Sequence, residues 1–218
     1  MKISILWAPL SSYAVAFFRE LSSHCGCKIQ LIYQPVIQEA PYEHFDLSFC
    51  NTSFEDSPEV RQNLEELCIN FEPDCVLISS WSYPHYMRTA KKLRRYGSYV
   101  ISVMDNQWRS SVKQWMGIVS SPWFLKGTID TFIVAGDRQA CFARKLGYKD
   151  VMYGCYAADI DSFNCGKPLI KRDKSFFFIG RLKKSKGIDL LIDAYQLYRD
   201  TVKQPWGLMV AGTGRMAS

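Results

Sequence analysis

Phe176-Phe177-Phe178-Ile179-Gly180-Arg181-Leu182-Lys183-Lys184-Ser185-Lys186-Gly187-Ile188-Asp189 is the stretch on which the reading of this chain turns. An apolar run ends in glycine, an arginine and a cationic loop follow, and an amphipathic segment then begins. Ile188, Leu191, Ile192, Tyr195 and Val202 recur at helical spacing, with mostly polar residues between them. The pattern predicts a buried strand that delivers Gly180 to a tight turn, with Arg181 and Lys186 flanking the start of a helix over 186–202. Free N–H groups at such a start favour an anion. The loop lacks the Gly-Lys-Ser/Thr ending of a Walker sequence. On its own residues it fits either a phosphate site or a solvated lysine-rich turn.

Gly180-Arg181-Leu182, Lys186-Gly187 and a helix containing Leu190, Leu191 and Ala194 together resemble the donor-domain opening of retaining GT-B glycosyltransferases of family 4. The run Gly207-Leu208-Met209-Val210-Ala211-Gly212-Thr213-Gly214 resembles that family's next strand and glycine turn, and Asp159 to Phe163 its interdomain Asp-plus-Phe segment. The likeness is strongest from Asp159 onward. It implies two Rossmann-like domains and transfer of a sugar, with retention, from a nucleotide-sugar to a hydroxyl acceptor. It implies no metal and no cofactor besides that donor substrate. Gly180, Arg181 and Lys186 would hold the donor diphosphate, and Gly212 and Gly214 would let backbone approach the nucleotide. Lys183 and Lys184 are expected in solvent.

The rest of the chain is compatible with that architecture. At 218 residues with 48% apolar content it can bury a substantial core. Its net charge of +6 suits anionic partners without choosing among them. No apolar run approaches the ~20 residues of a membrane span, and Met1-Lys2 leads straight into strand-like residues rather than a signal peptide. We therefore expect a cytoplasmic protein that can touch the inner face of a membrane. Eight cysteines contain no Cys-x-x-Cys pair, and Cys68, Cys75 and Cys141 sit in apolar-patterned segments, so they are read as reduced core residues.

Strand-like runs at 3–7, 28–33, 75–78, 99–104, 130–135 and 150–153 alternate with helical patterns starting near Ser12, Pro58, Pro84 and Arg138. That alternation predicts a parallel α/β sheet with helices on both faces. Residues 34–57 lack a sustained period and are expected to be irregular. The expected organisation is an acceptor-side domain over 1–165, a linker over 166–174 and the beginning of a donor domain over 175–218. Either the elements from 175 on complete the first sheet or the chain stops inside a second domain; we expect the latter, before the family's paired-glutamate motif, and by itself an inactive chain.

Loops after parallel strands gather at one edge, where ligands bind in open sheets. Asp105-Asn106-Gln107-Trp108-Arg109 follows one strand, and Trp81, Tyr83, His85 and Tyr86 follow another. Asp105 is the candidate catalytic or acceptor-orienting acid, with helix capping or a sheet-edge turn as its alternative. Many members of the resembled family carry a histidine in this region. Asn106, Trp108, Trp81 and His85 are candidates for acceptor binding. The basic clusters Lys91-Lys92-Leu93-Arg94-Arg95 and Arg109 to Lys113, near Trp115, Met116, Trp123 and Phe124, suit an anionic membrane carrying a lipid-linked acceptor. A carbohydrate acceptor of polysaccharide biosynthesis fits the same domain, and nucleic acid is disfavoured because no recognised binding module is present.

Two rivals remain. Gly212-Thr213-Gly214-Arg215-Met216-Ala217 formally matches the Gly-x-Gly-x-x-Ala of a nucleotide-dependent oxidoreductase, with no helix or acid after it. The basic patches would also suit a non-enzymatic anion- or membrane-binding module.

Overall fold

The computed structural model describes residues 1–35, 45–154, 158 and 174–216. They fall into two compact units, one holding the described residues up to 158 and the other 174–216. The expected boundary at 165, the linker residues 166–173 and the Asp159 to Phe163 motif lie outside the described residues.

The first unit is a seven-stranded parallel sheet. Its strands are β1 (Lys2–Trp7), β2 (Lys28–Tyr33), β3 (Thr52–Glu55), β4 (Cys75–Ile78), β5 (Tyr99–Met104), β6 (Thr131–Val134) and β7 (Met152–Tyr153). They lie in the order β3-β2-β1-β4-β5-β6-β7, and each neighbouring pair is parallel. The helices are α1 (Ser12–Ser23), α2 (Pro58–Phe71), α3 (Pro84–Arg95), α4 (Val112–Phe124) and α5 (Asp137–Lys145). Alternate strand residues enter two separate cores. Ile3, Ile5, Ile29 and Leu31 pack with Ala14, Val15 and Phe18 of α1, while Leu6, Val76, Ile78 and Phe132 pack with residues of α2, α3 and α5. Helices thus cover both faces, which is why the central strands are apolar on both sides.

Polar contacts inside this frame set the register. Ser4 Oγ donates to Gln30 Oε1 across β1 and β2 at 2.8 Å, and Gln30 Nε2 donates to the Leu67 carbonyl of α2 at 3.2 Å. Asp130 accepts from Arg94 Nε and from the Val100 amide, both at 2.8 Å, and so ties the end of α3 to the start of β5. Ser57 caps α2, accepting from the Val60 amide, with Pro58 in the first turn.

Several expectations change. The segment 34–57 contains β3, an edge strand pairing with β2. Residues 112–124, read from sequence only as aromatic and basic clusters, form α4, which opens with a Ser111–Gln114 capping box. Cys27 and Cys68 are buried, but Cys141 and Cys25 are exposed and are not core residues. Burial pushes the Cys68 thiol up to about 12 and Cys75 up to about 11. Iodoacetamide at pH 8 is therefore expected to alkylate Cys25 and Cys141 in the folded protein and spare Cys68, as read by peptide mass spectrometry; labelling of Cys68 at the rate of Cys141 would contradict this packing.

The second unit pairs β8 (Ser175–Ile179) with β9 (Gly207–Ala211) in parallel, connected through α6 (Ile188–Thr201). Lys184–Lys186 forms a separate 3-10 turn, and Gly187 takes φ of 69° at the cap, so α6 begins at Ile188 rather than 186. Of the expected stripe Ile188 is buried and Tyr195 packs edge-on to Phe176 of β8, joined there by Tyr198, whereas Ile192 faces outward and Val202 lies past the helix end.

Candidate functional site

In the first unit the strand order reverses between β1 and β4, and at such a switch point the two following loops diverge and leave a crevice. A cavity of about 330 Å³ lies there, lined by Pro9, Ser11, Tyr13, Ser80, Tyr83 and Asp105 among others. The Ala8 amide donates to Ser79 Oγ at 2.9 Å, which closes its floor. Ser11 caps α1 without a side-chain hydrogen bond, so the first-turn N–H groups carry no side-chain partner from that residue. Burial raises the Tyr83 phenol above its ordinary value.

Asp105 is exposed at the rim of this cavity, and its carboxylate makes no hydrogen bond among the described residues. It does not cap a helix, because α4 is capped by Ser111 seven positions beyond β5. A second cavity, about 410 Å³, is lined by Trp81, Asn106, Arg109, Lys113, Ser120 and Phe142 among others. Ser82 borders both cavities, so they adjoin. The run after β5 is therefore split, with Asp105 at one cavity and Asn106 and Arg109 at the other.

Two sequence candidates are engaged elsewhere. Trp108 packs against Trp115 and Phe142 at ring distances of 5.3 and 5.6 Å, under the Lys145 ammonium. His85 meets Asp56, a residue the sequence reading passed over. Asp56 has a fully buried side chain and accepts from Arg61 Nε and His85 Nε2, each at 2.9 Å, from Tyr86 at 3.1 Å, and from Gln34 Nε2. Burial, and then the Asp56 charge, raise the Tyr86 phenol. The network gathers groups from the ends of β2 and β3 and the starts of α2 and α3. Apart from Arg61, five residues on, the partners of Asp56 lie more than 20 residues away in sequence and left no local signal.

In the second unit Gly180, Arg181 and Leu182 leave the carboxyl end of β8, and Gly212, Thr213 and Gly214 leave β9 beside them. The two turns are joined by backbone hydrogen bonds, from the Gly180 amide to the Ala211 carbonyl at 3.0 Å and from the Leu182 amide to the Thr213 carbonyl at 2.8 Å. A Cβ on Gly212 would overlap the Gly180 carbonyl, and one on Gly214 the Leu182 carbonyl. Their φ values of +156° and +153° also disfavour a side chain. The bare Cα atoms are thus what lets the two turns approach each other.

Arg181 is exposed in the first turn. Lys186 is exposed one residue before the cap of α6 and makes no ion pair among the described residues. Lys184 is in solvent as expected, while Lys183 is half-buried. Asp189, in the first turn of α6, keeps one carboxylate oxygen buried without a hydrogen-bond partner among the described residues. That acid opposes an anion at the helix start, so any anion site here depends on the loop cations.

No family model matches the chain, and no curated protein does. Solved structures do. The chain aligns with the E. coli trehalose-6-phosphate structure bound with UDP-2-fluoro glucose at a TM-score of 0.65 and 12% identity, over 99% of this chain and 65% of the other. It aligns with Anabaena HepE in complex with UDP at 0.63 and 13%, over 98% and 61%. It aligns with the lipopolysaccharide outer core galactosyltransferase WaaB at 0.54 and 13%, over 99% and 62%. At these identities the likeness is one of fold, and the chain spans less than two thirds of each of these structures.

Proposed function

We propose that this chain supplies the acceptor-side domain and the opening of the donor domain of a GT-B glycosyltransferase resembling family 4. The reaction transfers a sugar with retention from a nucleotide-sugar to a hydroxyl of a carbohydrate or lipid-linked acceptor, at an anionic membrane. The observation that carries the reading is the pair of glycine turns stitched together after β8 and β9, with Arg181 and Lys186 on the loop that leads into α6. The fold likeness to proteins solved with UDP and with a UDP-sugar supports it.

In this reading the departing nucleotide develops negative charge on its diphosphate, and the loop cations beside it lower the barrier without a metal. Arg181 supplies a planar fork and Lys186 a mobile point charge, which suits two adjacent phosphates. On the acceptor side Asp105 accepts a hydrogen bond from the attacking hydroxyl, and the serines and Tyr83 around its cavity orient the sugar. Trp81 and Asn106 line the adjoining space, where further acceptor residues would lie. Trp108 and His85 act at one remove, through packing and through Asp56.

The test is titration with UDP-glucose and other nucleotide-sugars, followed by transfer kinetics in the full-length enzyme. A charge-assisted bond is worth about 1.5–3 kcal/mol. Arg181→Ala and Lys186→Ala are each expected to lower kcat/KM roughly 10- to 100-fold, largely in kcat, and Lys184→Ala, in solvent, to change little. Wild-type activity in the Arg181→Ala/Lys186→Ala double variant would return the loop to a solvated turn. The oxidoreductase alternative is not favoured, because the fold likeness is to proteins solved with UDP and with a UDP-sugar.

A further inference from the structure

Surface helices ordinarily turn apolar residues inward and polar ones to water. Helix α4 does the reverse. Its inward side is Gln114, in the capping box, Gly117, the partly buried Ile118, and Ser121, whose Oγ donates to the Leu146 carbonyl at 2.9 Å. Its outward side is Val112 (76% exposed), Met116 (64%), Val119 (67%) and Trp123 (77%), with Trp115 beside them. These positions recur at three- and four-residue steps and make one stripe along the helix.

The surroundings say what covers the stripe. From Asn106 to Ile129 the chain has no Asp or Glu, while Arg109, Lys113 and Lys126 are exposed and make no ion pair among the described residues. Two copies packed stripe to stripe would bring like charges together. An anionic bilayer meets both needs, receiving the apolar side chains below its headgroups and the cations among them. Tryptophan favours that interface because its ring is apolar and its N–H polar. The basic cluster on α3 is a poorer candidate, since Lys92 is paired with Glu65 and Arg94 with Asp130, each at 2.8 Å. At 13 residues α4 is too short to span a bilayer.

We propose that α4 is a membrane-docking helix that lies in the plane of an anionic lipid surface with Val112, Met116, Val119 and Trp123 inserted. This names the docking element for the membrane contact in the reading above and rests on that part of it alone. The test is flotation with vesicles of phosphatidylcholine and phosphatidylglycerol in equal parts, against pure phosphatidylcholine. Wild-type protein should float with the anionic vesicles. Met116→Asp/Val119→Asp should lower partitioning roughly tenfold or more while leaving circular dichroism and melting unchanged, because both residues are exposed. Lys113→Glu/Lys126→Glu should weaken binding and flatten its salt dependence. The proposal is overturned by wild-type protein that ignores anionic vesicles, by equal partitioning of the apolar double variant, or by a wild-type dimer in light scattering that this variant abolishes. Nucleotide-sugar titration is independent of these readouts, so either proposal can fail while the other holds.

Discussion

Gly214→Ala is expected to destroy the pairing of the two glycine turns and with it nucleotide-sugar binding, and Gly212→Ala to do the same. At both positions the added methyl would occupy space already held by backbone carbonyl, which no side-chain rotation can clear. Both residues also sit at positive φ, in a region alanine rarely adopts. Strain and overpacking together should reach about 3 kcal/mol or more, against stitching that rests on a few backbone hydrogen bonds. The measurement is amide hydrogen exchange over 175–216 with a parallel UDP-glucose titration. Gly180, Leu182 and Met216, whose amides donate between the turns, should lose protection first. Gly207→Ala is the control, since nothing lies within 4 Å of its Cβ position, and it should be close to neutral. Unchanged protection and affinity in Gly214→Ala would mean that the turns part easily and that their pairing is not what shapes the site.

These glycines illustrate what could be read in advance. A turn after a strand was legible from Gly212-Thr213-Gly214, but its close approach to the Leu182 carbonyl depends on β9 lying beside β8, which no local pattern states. The central strands were legible because burial on both faces makes them mostly apolar, with single polar residues such as Ser4 and Gln30 among them. Thr52-Ser53-Phe54-Glu55 was not, because an edge strand with largely exposed side chains needs little apolar content. In α4 the Ser111–Gln114 box was an available signal, but Gly117 and Pro122 weaken the helical pattern, and its apolar stripe faces outward. Asp105 was legible as a ligand-edge residue from its place after a strand. Asp56 was invisible, because Gln34, His85 and Tyr86 reach it only through the sheet order, and Arg61 five residues on makes no signal alone.

Asp56→Ala is expected to destabilise the first unit by about 3 kcal/mol. A buried carboxylate with several donors is cheaper to keep than to remove, because each donor left behind has already lost its water. The loss is tempered at Arg61, whose side chain is 45% exposed and can recover hydration, and at Tyr86, which can still donate to the Trp7 carbonyl at 3.1 Å. It is not tempered at His85, only 24% exposed and held between Asp56 and the Tyr83 and Tyr86 rings. Asp56→Asn should be nearly as damaging, since an amide presents one acceptor oxygen and two further donors to groups that are themselves donors. Removing a single donor, as in His85→Ala, should cost less, about 1 kcal/mol, because the carboxylate keeps its other partners. For a chain of this size 3 kcal/mol corresponds to a fall in Tm of roughly 6–12 °C. Urea denaturation followed by the buried tyrosine and tryptophan signals would measure the same difference as a shift in midpoint at constant slope. The ordering is the diagnostic result: Asp56→Asn close to Asp56→Ala and well below His85→Ala identifies a hub of acceptors. An Asp56→Asn protein as stable as wild type would show that the cluster is held by packing alone, and that His85 owes its position to the neighbouring rings.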